Sequence, residues 1–261
     1  MTAIDQKSGD AARDAVRDYA LRLGDDALVL GHRLSEWCSN GPFLEEDLAL
    51  TNVALDYIGR ARMFYGYAAE LDGGDATEDS YAYTRDCREF TNLLIHELPR
   101  GDFAFTMARQ YLVDEFNLAF MQQLTGSGDE VLAAIAAKAV KECRYHLRRS
   151  RDWMLRLGDG TEESHDRLQS AVDDLWGYTP ELFELDTLER ELVAAGIAVD
   201  AAALRDDWDS AVRATLAEAT IAISDESWSV RGGRQGMHTE HLGHLLSDLQ
   251  FMQRAYPGLE W

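Results

Sequence analysis

The chain is poor in the features that would tie it to a secreted, membrane-spanning or nucleic-acid-binding class. It holds three cysteines, Cys38, Cys87 and Cys143, an odd and widely spaced set. That excludes a disulfide framework and a Cys-x-x-Cys metal site, and it fits reduced thiols in a cytoplasmic protein. There are four prolines: Pro42, Pro99 and Pro257 fall between or after helical patterns, and Pro180 stands where a helix can begin. Positive charge is scarce: 25 Lys and Arg face 47 Asp and Glu, a net charge of −22. This argues against a nucleic-acid partner, whose phosphates require a basic footprint, and leaves an acidic surface suited to solvent or to a basic partner. No run approaches the roughly 18 apolar residues of a membrane helix, and the first residues carry no apolar signal core. The phosphate loop, dinucleotide glycine pattern and serine elbow are also missing, and Gly232-Gly233 lacks the strand context such motifs require.

What is present is helical. Ala, Leu, Arg, Glu and Asp dominate, which predicts an all-α fold in one domain over residues 1–261, with residues 1–12 as a polar, flexible tail. The expected helices are 14–23, then 25–37 capped by Asp25 or Asp26, 45–71, 89–98, 102–124 capped by Asp102, and 129–156. Further helices are expected at 161–176, opened by a Thr161–Ser164 capping turn, and at 180–185, 187–195, 200–223 and 239–256. Residues 197–199 alone have extended character, and 229–236 form a basic, glycine-rich loop.

Two of these helices read as copies of one idea. Asp56, Arg60 and Arg62 repeat the spacing of Glu142, His146 and Arg148, and each helix follows a stretch carrying an acid, Glu36 or Glu115. Four helices that contribute two lone acids and two acid-x-x-His pairs build a carboxylate-bridged di-metal centre. Here the third position after Asp56 is Gly59, and after Glu142 it is Tyr145, a poor ligand while its phenol keeps its proton. His146 stands one residue late, about 100° further round the helix. Arg60 would add positive charge beside any metal. The spacing therefore predicts a degenerate di-metal pocket, formed by Glu36, Asp56, Gly59, Arg60, Glu115, Glu142, Tyr145 and His146, in which arginine–carboxylate pairs replace the ions. Glu115, set in the apolar stripe Tyr111, Leu112, Leu118 and Ala119, should meet a cation.

A second constellation lies near the C-terminus. His238, Glu240, His241 and His244 share a helix start with spacing that suits zinc or iron, although no paired ligand is evident elsewhere, and caps or interface contacts account for them equally. Arg231, Arg234 and His238 are candidates for an interface or for a CoA phosphate. Trp153, Trp176 and Trp208 read as core or interface aromatics.

Several long blocks carry a family resemblance: LRLGDDALVLGHRLSEWCS at 21–39, EEDLALTNVALDYIGRARMF at 45–64, ARQYLVDEF at 108–116, KAVKECRYHLRRSRDWMLRLGDGTEES at 138–164 and GMHTEHLGHLLSDLQFMQRAYPG at 236–258. Spanning nearly the whole chain apart from a longer N-terminal tail, they resemble the structural (PaaC) subunits of multicomponent phenylacetyl-CoA epoxidases, the ring 1,2-phenylacetyl-CoA monooxygenases of aerobic phenylacetate catabolism. The resemblance implies a ferritin-like four-helix bundle core with additional C-terminal helices. It also implies a non-catalytic subunit that binds no cofactor and pairs with a homologous di-iron catalytic subunit. A reductase with flavin, iron–sulfur and NADPH completes the system. The residues by themselves leave two other readings open. One is a di-iron oxygenase or ferroxidase with its own metal centre. The other is a helical module that binds an acyl-CoA. Self-association of a chain with an exposed partner face is also compatible.

Overall fold

The computed structural model describes residues 3–223 and 228–259. Four long helices make the frame: α1 (Ala3–Ser35), α2 (Leu44–Asp72), α5 (Phe103–Leu124) and α6 (Glu130–Gly158). Between α2 and α5 run the short helices α3 (Glu78–Tyr83) and α4 (Leu94–Glu97). After α6 come α7 (Glu162–Trp176), α8 (Thr187–Ala194), α9 (Arg205–Glu218) and α10 (Glu240–Ala255). α1 packs along α2 and α5 along α6; α2 meets α6 to close the bundle, and α7 and α9 cover α5 and α6. No strand occurs among the described residues, so the fold is all-α, with a ferritin-like core and added C-terminal helices.

The caps explain most boundaries. Asp102 accepts from Phe105 N (2.9 Å), and Asp129 from Leu132 N (3.0 Å), which fixes the starts of α5 and α6. Thr161 and Ser164 form a reciprocal capping box on α7, and Asp186 and Glu189 do the same on α8. α2 ends at Gly73, whose φ of 67° lets the chain turn away in the left-handed region.

The largest departure from expectation is α1. The separate helices at 14–23 and 25–37 are one helix, and the tail expected over residues 1–12 is helical from Ala3 onward, residues 1 and 2 lying outside the described ones. Gly24 does not break the helix. A Cβ there would lie 2.5 Å from Tyr65 Cε1, so the glycine gives the tyrosine ring room to lie flat against α1. Asp25 and Asp26 are consequently not caps but acids within the helix, Asp25 fully buried and Asp26 largely so. The expected helix at 89–98 shrinks to the single turn of α4, and 200–223 divides into a 3-10 turn, Ala201–Leu204, and α9. Residues 197–199 form no strand: the Ile197 and Ala198 amides both donate to the Leu192 carbonyl and wrap the end of α8.

Candidate functional site

The interior between α2, α5 and α6 is polar at its centre. Asp114 on α5 is 2% exposed. It accepts from the Tyr57 hydroxyl (3.0 Å) on one oxygen and from the Ser150 hydroxyl (2.9 Å) on the other. Burial raises its pKa, against the pull of His146 and these hydrogen bonds. Asn117 donates to the Tyr57 oxygen at 3.2 Å. His146 stacks on Tyr57, with ring centroids 5.4 Å apart, and its Nε2 donates to Asp56 Oδ2 at 2.9 Å. The Arg60 guanidinium is buried over the Tyr57 ring (4.8 Å), 3.3 Å from Cys143 Sγ and 3.5 Å from Glu142 Oε2. Burial alone would lower its pKa, but Cys143, Tyr57 and Glu142 hold it above the usual arginine value. Arg149 pairs with Glu46 at the next turn. A cavity of about 30 Å³ lies beside Tyr57, Arg60 and Asn117, large enough for a water and far too small for a phenyl ring.

Of the eight residues expected in the pocket, four meet as pairs, Asp56 with His146 and Arg60 with Glu142. The other four do not join them. Glu36 is exposed beyond the end of α1, where it takes an ion pair from Arg33 at 2.6 Å. Glu115 is half-buried on another face of α5; burial raises its pKa and Arg151 opposes this. The inward acid of α5 is its neighbour, Asp114. Gly59 faces open space, with nothing within 4 Å of a would-be Cβ, and Tyr145 is 42% exposed. Glu115 is misassigned because α5 is buried round most of its circumference, so an apolar stripe cannot say which acid points inward. The spacing Gln110, Asp114, Asn117 is the signal that points to Asp114 instead.

The C-terminal candidates are also rearranged. Arg234 is internal: it pairs with Asp26 (2.8 Å) and approaches Glu189 (3.6 Å), so it is no contact for a CoA phosphate. His238 is buried too. Its Nδ1 lies 2.7 Å from Glu97 Oε2 and its Nε2 2.8 Å from the Phe90 carbonyl. Both acceptors are met when each ring nitrogen carries a proton, so the site favours the imidazolium. Burial disfavours the charge, but the Glu97 and Phe90 bonds prevail and raise its pKa. Arg231 stays at the surface and pairs with Glu184 at 2.8 Å. His244 is exposed, and the histidines do not converge. Trp208 is buried and donates to the Leu112 carbonyl (3.0 Å), while Trp153 packs on Phe103.

A di-metal centre needs carboxylates and imidazoles free to face one point. Here the Asp56 carboxylate is committed to His146, Gly59 offers no donor, and Arg60 places its cation between α2 and α6. Among the described residues no group of three or more His, Cys, Asp or Glu is arranged to hold a metal ion. The donor set does not fit two irons. Nor is any helix among those residues long and apolar enough to cross a membrane.

Fold and interior together define a class: an all-α bundle whose central carboxylates are answered by cations and hydroxyls of its own. The family model described as Phenylacetic acid catabolic protein matches residues 1–261, and the chain belongs to that family. It is 51% identical over 243 residues to the C subunit of the 1,2-phenylacetyl-CoA epoxidase of Escherichia coli (strain K12), an alignment covering 93% of this chain and 98% of that relative.

Proposed function

We propose that this chain is the C-type subunit of a phenylacetyl-CoA epoxidase in phenylacetate catabolism. It acts as a structural bundle that pairs with and supports a di-iron catalytic subunit, binds no iron of its own, and works in the cytoplasm alongside a flavin and iron–sulfur reductase that draws on NADPH. The observation that carries this reading is the cross-paired centre, Asp56 to His146 and Arg60 to Glu142, in a chain so similar to an epoxidase subunit. A catalytic bundle must hold its ligands within fractions of an ångström, and a rigid neighbour built on the same plan supplies a large, stiff surface for that purpose. Interhelical side-chain pairs in place of labile ligands keep that neighbour in one shape whether or not iron is available.

The test is co-expression with the catalytic subunit of the same genome, separation of the two chains, and iron analysis of each. Iron is expected with the catalytic subunit, and epoxidation only when both chains are present. Roughly two irons per molecule of the isolated chain, as in a competent di-iron bundle, or turnover by it alone, would overturn the proposal.

A further inference from the structure

The outer face of α2 carries a row that its own fold does not use. Leu44, Leu48 and Leu55 share one side of the helix and are 69%, 54% and 60% exposed. Gly59 continues that row, and nothing within the chain lies within 4 Å of where its Cβ would be. A glycine in mid-helix is costly, and at a packed position it is explained by what the missing side chain would strike. At Gly59 the chain supplies no such neighbour. Beside it opens a groove of about 570 Å³ whose lining includes Gly59, Met63, Val131 and Lys138, the exposed Glu70, and Glu78, which Arg62 already neutralises.

The adjoining face of α6 is basic. In a chain of net charge −22, this one helix holds seven Lys and Arg against three acids. Four of them, Lys138, Lys141, Arg144 and Arg148, are exposed along one side. Among the described residues none of the four has an ion-pair partner within 4 Å, whereas the nearby acids Asp56, Glu142 and Glu46 are already taken by His146, Arg60 and Arg149. Those same pairs clasp α2 to α6, so the leucine row and the basic row run side by side.

We infer that the α2–α6 face is the docking surface for an acidic helix of the catalytic subunit, its apolar side lying over Leu44, Leu48 and Leu55, its backbone close to Gly59, and its carboxylates along the basic row of α6. This rests on the functional reading above. Charge selects this occupant. A symmetric second copy would set the same patch against itself and oppose one unpaired basic row with another. A foreign helix with acids flanking an apolar stripe neutralises the row and covers the leucines together.

The experiment measures affinity between the full chain and the co-expressed catalytic subunit at several salt concentrations. Gly59→Leu is expected to weaken binding by about a hundredfold, since a bulky side chain would hold the two backbones apart. The triple variant Lys141→Glu, Arg144→Glu, Arg148→Glu is expected to weaken it by about tenfold or more and to flatten the salt dependence. Gly243→Leu on α10, another position whose Cβ would meet nothing within 4 Å, serves as the control and is expected to bind as the unmodified chain does. Circular dichroism and urea unfolding verify that each variant is folded. Pairing that survives Gly59→Leu but is lost in Gly243→Leu, or that survives both Gly59→Leu and the triple variant, overturns this inference alone. An unmodified chain that never pairs overturns the functional reading and this inference with it. A dimer of the isolated chain that Gly59→Leu converts to monomer makes a second copy the occupant and overturns the assignment to the catalytic subunit.

Discussion

Two buried polar regions of this molecule answer their acids in different ways. Between α2, α5 and α6 the partners are side chains: Asp56 takes a histidine, Glu142 an arginine, Asp114 a tyrosine and a serine. Where α1 meets residues 87–98 and the loop 231–239, the partners are to a large extent backbone amides. Asp25 accepts from Thr91 N (2.8 Å), Asp26 from Leu93 N (2.8 Å) and Glu97 from Thr239 N (2.6 Å). Glu181 accepts from Leu94 N, Gly232 N and Gly233 N. Arg85, Arg234 and His238 add charge to these acids. A side-chain network can be rewired one residue at a time while its helices stay in place. A carboxylate that holds backbone amides fixes the path of the chain, and no substitution elsewhere replaces it.

The comparison predicts a ranking of stabilities. Glu97→Ala should be the most damaging change, because it strands the His238 imidazolium, the Asn92 amide and the Thr239 N–H in a dry site. Loss of about 3–5 kcal/mol is expected in urea unfolding, and a loss smaller than that of Asp56→Ala would reverse the ranking. Asp26→Asn should cost about 2–4 kcal/mol near neutral pH. Burial works against the Asp26 carboxylate, but Arg234 and His96 outweigh it and hold its pKa below the usual range. Its stabilisation is therefore present above the unfolded value of about 3.9 and disappears as pH falls through the folded one. The gap between the native chain and Asp26→Asn should begin to narrow below about pH 4 and close only as pH falls through the lower, folded value, as acid titrations of both would show.

His238 has the opposite sign. Its pKa is raised in the folded chain, so its contribution is complete below the unfolded value of about 6.5 and is lost as pH rises through the folded one. The stability difference between the native chain and His238→Gln should be widest at pH 6 or a little below, at about 1–2 kcal/mol, and should narrow in alkali. The side-chain region should be more forgiving. Arg60→Met with Glu142→Gln is expected within about 1 kcal/mol of the native chain, since both charges leave together and no unpaired charge remains. A loss comparable to that of Glu97→Ala would erase the distinction between the regions. The smallest effect should come from Gly59→Ala, a gain of about 0.5–1 kcal/mol in the isolated chain, read as a rise in melting temperature.

Local chemistry explains what is legible in the amino-acid order. Asp102 and the Thr161–Ser164 turn are signals that act within three residues, and they set helix starts as expected. The pairing of Asp56 and Arg60 with His146 and Glu142 is foreshadowed because helical spacing puts each set on one side of its helix. Glu36 and Glu115 are misplaced by the same reasoning because an acid beside a helix end, or in a helix buried almost all round, has no periodicity that fixes its direction. The corner built on Asp25, Asp26, Glu97 and Glu181 is hidden altogether. Its partners lie far along the chain, 208 residues away for Asp26 and Arg234, and backbone amides leave no mark in a sequence. The helix running through Gly24 is concealed in the same way, since only the position of Tyr65 reveals why that glycine is there.

The loop that carries Arg234 and His238 has a consequence for biosynthesis. Asp26 and Glu97 are made long before the side chains that answer them: Arg234 follows Asp26 by 208 residues and His238 follows Glu97 by 141. A growing polypeptide can assemble α1, α2, α5 and α6 in order, yet it must hold this corner open, with its carboxylates still wet, until Arg234 and His238 have been made. Closing the loop thus comes after the bundle helices are in place, and a chain that stopped short of Arg234 would leave a corner that cannot seal.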